Sequence, residues 1–320
     1  MFWVGGYGHD MDGTAKGIGT MSARADGSLA YAGVAVETPS PSYLVERGGR
    51  VYSSDEGRST VSSYLRSGDR LVVDGTVDSA GQWPCHVALM DDVLVVANYN
   101  TGTLAVVALD RDGAAVELTQ TLTSPDPQGH AHASLRLGPD WLISADLGAE
   151  RLLLHTLRGA ALERTGEVAM PAGTGPRDLV SHEAGLLYVL GEHGGTVTVY
   201  DPVEGALELV TSIPLPGFEP GDQAAAMSFG ADGFLYAGVR GSNRVAVLKC
   251  SPDGRRIEPI GWVDCEGDHP RHLTVHDGIL HVANQNTNAV ASFRLESSGL
   301  PELIRVPEFV PSPTFILRAQ

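Results

Sequence analysis

The chain repeats itself about every 46 residues, and that period constrains its fold more than any other feature. Six units open at Pro41, Pro84, Ala131, Pro176, Ala225 and Pro270. With Tyr43, His86, His132, Asp178, Ala226 and His272 set in register, the steps are 43, 46, 46, 48 and 46 residues. A fixed period of this length marks an array of supersecondary units, each unable to bury its apolar face alone. Every unit has the same plan. A short apolar segment is followed by a turn, as at Gly138-Pro139-Asp140 or Ala231-Asp232-Gly233. A more hydrophobic segment follows (Val93 to Ala97, Leu187 to Leu190), then a polar or glycine-rich loop. An alternating segment (Thr196 to Tyr200, Arg244 to Leu248) and a weaker fourth one complete the unit. Alternation and β-branched content favour strands, and no helical stripe of useful length is present.

Four short strands per unit predict the blade of a β-propeller. The fold expected is all-β, a seven-bladed propeller of four-stranded blades in a single domain over residues 1–320. Six blades lie within about 40–310, and the seventh is shared by 1–39 and 311–320. Pro313 to Leu317 matches a first strand, and three N-terminal segments starting at Val4, Gly17 and Leu29 match the rest. Pairing the two termini closes the ring and removes two open sheet edges.

Composition narrows the function. The 320 residues are 42% hydrophobic, enough for a large core, and carry a formal charge of −17. An acidic chain of this kind argues against a nucleic-acid or anionic-membrane partner. An anionic ligand would need a local arginine cluster. Cys85, Cys250 and Cys265 are too few and too scattered for a disulfide framework or a zinc site. No basic leader or long apolar run opens the sequence, so a cytoplasmic protein is expected. The oligomeric state is left open between monomer and weak dimer.

In a propeller the first strand of each blade lines the central channel, and the loop after the second strand opens on one face. Two columns therefore converge. At the start of strand one stand Ser42/Tyr43, Cys85/His86, Ala131/His132, Arg177/Asp178, Ala225/Ala226 and Arg271/His272. At the end of strand two stand Asp55/Glu56, Asn98/Tyr99, Asp146/Leu147, Gly191/Glu192, Val239/Arg240 and Asn284/Gln285. Three arginines in these few positions are conspicuous when the whole chain has 22 Lys plus Arg. Charges gathered in a narrow ring need partners or a ligand. Two readings are open here: an ion-pair network plugging the channel, or an anion-binding catalytic site. His86 and His272 either line the pocket or satisfy backbone groups in the channel. His130 and His132 share a strand face, but no third metal ligand of matched spacing accompanies them. No Gly-x-Ser-x-Gly elbow exists, which argues against a serine hydrolase.

Taken in order, these residues resemble the seven-bladed propeller lactonases, which include bacterial 6-phosphogluconolactonase of the propeller type and fungal 3-carboxy-cis,cis-muconate cyclase. The matching motifs are Val4-Gly5-Gly6-Tyr7, Asn98-Tyr99-Asn100-Thr101-Gly102, Asp146-Leu147-Gly148-Ala149-Glu150-Arg151, Gly175-Pro176-Arg177, Leu187 to Glu192, Val239-Arg240-Gly241 and His269-Pro270-Arg271. The resemblance implies an active quartet of His132, Arg177, Glu192 and Arg240. Substrate contacts are expected from Arg271, His86, Glu56, Asn98, Tyr99, Asp146 and His272. Asp178 and Ala226 depart from the family's pattern, which often has histidine and an acidic residue there.

In the chemistry so implied, His132 takes a proton from water, and Glu192 either orients it or acts as base itself if burial raises its pKa. Arg177 and Arg240 hold a phosphate or carboxylate, or one of them stabilises the oxyanion. The substrate expected is a small anionic lactone or sugar acid, with no cofactor and no metal. Hydrolysis of 6-phosphogluconolactone leads, a muconate-type lactonizing cycloisomerase is the alternative, and a non-catalytic ligand- or protein-binding propeller is a third reading.

Overall fold

The computed structural model describes residues 1–203, 205–231 and 233–320. Asp232, at the centre of one expected turn, lies outside the described residues. Seven antiparallel sheets surround a central channel. Six are sequential: the strands of blade 1 lie within 41–78, blade 2 within 84–123, blade 3 within 131–169, blade 4 within 176–214, blade 5 within 223–264 and blade 6 within 270–309. Blade 7 has Pro313–Arg318 innermost, then Phe2–Gly6, Gly17–Ala23 and Leu29–Glu37. The two ends of the chain meet as Val4↔Ile316 and Trp3↔Leu317 in an antiparallel ladder.

The core consists of seven apolar wedges, one between each pair of neighbouring blades. Strand alternation divides residues between them. Val93, Val95 and Ala97 pack toward blade 3, whereas Leu94 and Val96 pack toward blade 1. Phe2 and Val4 face blade 6, and Trp3 faces blade 1. Both faces of each second strand are therefore buried, which explains its continuous apolar run. Phenols latch adjacent blades: Tyr52 donates to Gly113 O at 2.8 Å and Tyr188 to Gly254 O at 2.6 Å. Each latch satisfies a buried polar group and contributes on the order of 1 kcal/mol.

Every inner strand is bulged near its start. Pro41 pairs with Asp55 and Tyr43 with Ser54, leaving Ser42 unpaired. The same slip passes over Cys85, His132, Arg177, Arg271 and Thr314, and in blade 5 over Ala225 and Ala226. A bulge re-aims the extra residue's side chain. Here it aims one residue per blade into the channel, and Ser42, Cys85, His132, Arg177, Ala225, Arg271 and Thr314 all line the same cavity. The residue before five of these bulges is a proline, which is tolerated at a strand's first position because its missing N–H is not needed there.

Candidate active site

The bulge ring corrects the register expected from sequence. His132 is equivalent to Cys85, Arg177 and Arg271, and not to His86, Asp178 and His272. The residue at or just after the end of strand two forms a second ring toward the loop face: Tyr7, Glu56, Tyr99, Leu147, Glu192, Arg240 and Gln285. Six of these seven are fixed by their own amides. The N–H of Tyr7, Glu56, Tyr99, Leu147, Glu192 and Gln285 donates to the carbonyl of Ser312, Ser40, Trp83, His130, Gly175 and His269 at 2.8–3.1 Å. Arg240 instead pairs with Gln223 in the blade 5 ladder.

Two charged clusters bridge the rings. In the first, Glu192 accepts from Arg177, and its other oxygen lies 3.0 Å from Arg240 Nη2. The Arg177 Nε–H donates to Ala225 O at 2.8 Å, and the Arg240 guanidinium donates to Gln223 O and Ala224 O. All three side chains are buried. Burial pushes the Glu192 carboxyl up, but the Arg177 and Arg240 charges together outweigh it and hold the group at about 2. Glu192 is therefore a fixed anion and not the proton acceptor that burial alone would make it. Burial and Arg177 pull the Arg240 guanidinium down to about 9 against the field of Glu192, which leaves it charged at pH 7.

In the second cluster, Tyr7 donates to Glu56 Oε2 at 2.9 Å, and Arg271 donates to the Tyr7 oxygen. Arg271 also stands 3.8 Å from Glu56 and 4.7 Å above the Tyr7 ring. Burial raises the Tyr7 phenol, so it stays neutral. Burial lowers the Arg271 guanidinium, but the acceptor oxygen of Tyr7 and the charge of Glu56 outweigh it, so the group is raised overall. Formal charges leave the second cluster neutral and the first at +1, a local cation in a chain of −17.

His132 lies between these clusters. Among the described residues its buried Nδ1 has no hydrogen-bond partner, and Tyr99 meets its ring edge-on at 5.9 Å. Burial first, then Arg177 and Arg271, hold its pKa well below the ordinary value, so the imidazole is neutral. Cys85 sits in the same ring, its thiol pushed up to about 12 by burial and then by Glu56. Its Sγ lies 3.4 Å from His132 O, so it serves as a weak donor and not as a nucleophile.

Beneath the rings lies a cavity of about 140 Å³. One wall is a run of aromatic rings from four consecutive blades: His272 on Phe315 at 3.9 Å, Phe315 on Tyr43 at 4.2 Å, and Tyr43 on His86 at 4.1 Å. His86 and His272 thus line the channel one layer below the arginines, and burial holds both imidazoles down at about 3. His272 Nδ1 also accepts from Ile316 N–H at 3.2 Å. Asp178 lines the same cavity. Its carboxylate accepts from Leu179 N–H at 3.0 Å and Met227 N–H at 2.7 Å, tying blade 4 to the bulged strand that carries Ala226.

Asn98 and Asp146 stand apart from the rings, correcting their expected place at the substrate. Each is the strand-two residue just before the ring position and points back into its own blade. Asn98 Nδ2 donates to Ser79 O at 2.8 Å and Thr103 Oγ1 at 3.1 Å. Asp146 accepts from Ser124 Oγ, His130 N–H and Ala149 N–H. Both hold loops. Tyr7, by contrast, belongs to the site but was not counted in either column, because its strand two opens the chain while the inner strand of the same blade, Pro313–Arg318, closes it. The signal was Gly5-Gly6-Tyr7, which ends strand two just as Asp55-Glu56 does. His269 was not counted either: burial, then Arg240 and Arg271, hold it down at about 4.

The fold is that of a known family. A family model described as "Lactonase, 7-bladed beta-propeller" matches residues 1–318, and the chain belongs to that family. It is 27% identical over 251 residues to 6-phosphogluconolactonase of Bacillus subtilis, covering 71% of this chain and 72% of that protein. An uncharacterized protein of Lactococcus lactis is 28% identical, with 87% of each chain covered. Among solved structures, a protein from Lactobacillus plantarum superposes with a TM-score of 0.91 at 25% identity, over 100% of this chain and 99% of that one. The periplasmic gluconolactonase PpgL of Pseudomonas aeruginosa shares the fold at a TM-score of 0.91 and 24% identity, again over 100% and 99%. Among the described residues, no helix is long and apolar enough to cross a membrane.

Proposed function

We propose that this lactonase hydrolyses an anionic sugar-acid lactone, with 6-phosphogluconolactone the leading substrate. The observation that carries the reading is the buried Arg177–Glu192–Arg240 cluster of net charge +1 beside a neutral, partly unsatisfied His132. A phosphate or carboxylate brings the missing negative charge, and guanidinium groups recognise it through paired donors. The B. subtilis relative's name gives the same substrate class for that protein.

In the proposed reaction, His132 accepts a proton as water attacks the lactone carbonyl. The carbonyl electrons move onto oxygen, where Arg177 or Arg240 stabilises the tetrahedral anion. On collapse, the ring C–O bond breaks and the leaving alkoxide takes the proton back from His132. Lactone and water become the hydroxy acid, which ionises in solution. Glu192 keeps the two guanidiniums in place without itself exchanging a proton.

The test is turnover of freshly prepared glucono- and 6-phosphogluconolactones in a pH-stat. Rates well above spontaneous hydrolysis are expected for at least one of them. A protein that gives only the spontaneous rate with both, yet binds their product acids, would be a binding propeller and not an enzyme.

A further inference from the structure

The loop residues that lead into the inner strands form a third ring, at the mouth of the channel: Ser312, Ser40, Trp83, His130, Gly175 and His269, whose carbonyls hold the second ring's amides. Five of these six have left-handed backbone, Gly175 at φ +58 with Trp83 at +57 and His269 at +63. This conformation disfavours an L side chain by roughly ten-fold in population. Glycine occupies it in blade 4 without strain. Of thirteen non-glycine residues with positive φ among those described, only Trp83 and His269 carry rings. A bulky residue held against its backbone preference, where a sister blade uses glycine, is an outlier that calls for a functional reason. His269 has one in its arginine neighbours. Trp83 has no such contact: its side chain makes no hydrogen bond or ring contact among the described residues, and 45% of the residue is exposed.

Its surroundings indicate what it meets. The Trp83 carbonyl holds Tyr99, whose ring stacks on His130 at 4.6 Å and edges His132. The blade 2 and 3 side of the mouth is thus aromatic, whereas blades 4, 5 and 6 supply the three arginines. We infer that Trp83 is a substrate-binding platform. Its indole packs against the C–H face of a sugar-lactone ring whose anionic end lies on the arginine side. This inference rests on the lactonase reading above and extends it to a residue that sets specificity for a ring-bearing substrate.

The test compares Trp83→Ala, Trp83→Gly and Trp83→Phe for lactone hydrolysis and thermal unfolding. Truncation is expected to raise KM roughly five- to ten-fold, the scale of one aromatic contact, with a smaller effect on kcat. Trp83→Phe should recover most of the affinity. Trp83→Gly should melt about 1–2 °C above Trp83→Ala, because both lose the indole and only glycine relieves the backbone. An active wild type whose KM is unmoved in all three variants would overturn the platform alone. A wild type inactive on every lactone would overturn the reading beneath it, and the platform with it.

Discussion

Replacing Glu192 by Gln removes the one anion between two buried guanidiniums, and the structure sets the size of the effect. Arg177, Glu192 and Arg240 are each no more than 6% exposed, so solvent screens them little. The carboxyl is held at about 2 against an ordinary value of 4.5. That difference corresponds to roughly 3 kcal/mol of stability when the group is ionised. Breaking a buried ion pair from one side costs about 3–5 kcal/mol, which agrees. We expect Glu192→Gln to lose about 3 kcal/mol in urea unfolding at pH 7. The sign of the pH dependence follows from a lowered folded-state pKa. The carboxylate's contribution is fully present above about 4.5 and is lost as pH falls toward 2. The gap between wild type and variant should therefore be constant from pH 8 to 5 and narrow below 4.5. Phosphate, attracted to the two guanidiniums left without their anion, should restore part of the variant's stability while changing the wild type less. A loss under 1 kcal/mol, or a gap that does not narrow in acid, would refute the assignment of Glu192 as the fixed charge of this site.

Other outcomes follow from the geometry. Since burial and the arginines lower the His132 pKa, the acid limb of kcat/KM should lie below the 6.5 of an ordinary imidazole, and His132→Asn should reduce kcat at least about 100-fold. An anionic substrate offsets the arginine field, so the same limb in kcat should move to higher pH. Asn98→Ala should cost about 1–3 kcal/mol of stability through the unsatisfied Ser79 carbonyl while leaving KM nearly unchanged, as read by urea unfolding and steady-state kinetics.

The architecture was legible because the repeat is strong and the second strands bury both faces. The closing of blade 7 by the two termini could be read from apolar strands that had no other partner. What periodicity could not resolve was which of two consecutive residues faces the axis. Alternation has a period of two, and each bulge inserts one residue and shifts the phase. For this reason His132 was grouped with His86, and Asn98 and Asp146 were expected at the centre beside Tyr99. Arg177, Glu192 and Arg240 did not depend on this phase, because the motifs of the family resemblance single them out and not the alternation. Trp83 was not singled out, and His269 was read only as part of a motif, for a different reason: each precedes the proline from which its unit was counted, and backbone φ is not written in side-chain pattern.

We propose that the two rings form one site for an anionic lactone. Initial-rate kinetics on 6-phosphogluconolactone and gluconolactone, comparing wild type with the Arg177→Ala/Arg240→Ala double variant, test it most directly. Catalysis by the wild type is expected, with a fall in kcat/KM of at least about 100-fold in the double variant, larger for the phosphorylated lactone. A double variant that is folded and as active as the wild type on both lactones would contradict it.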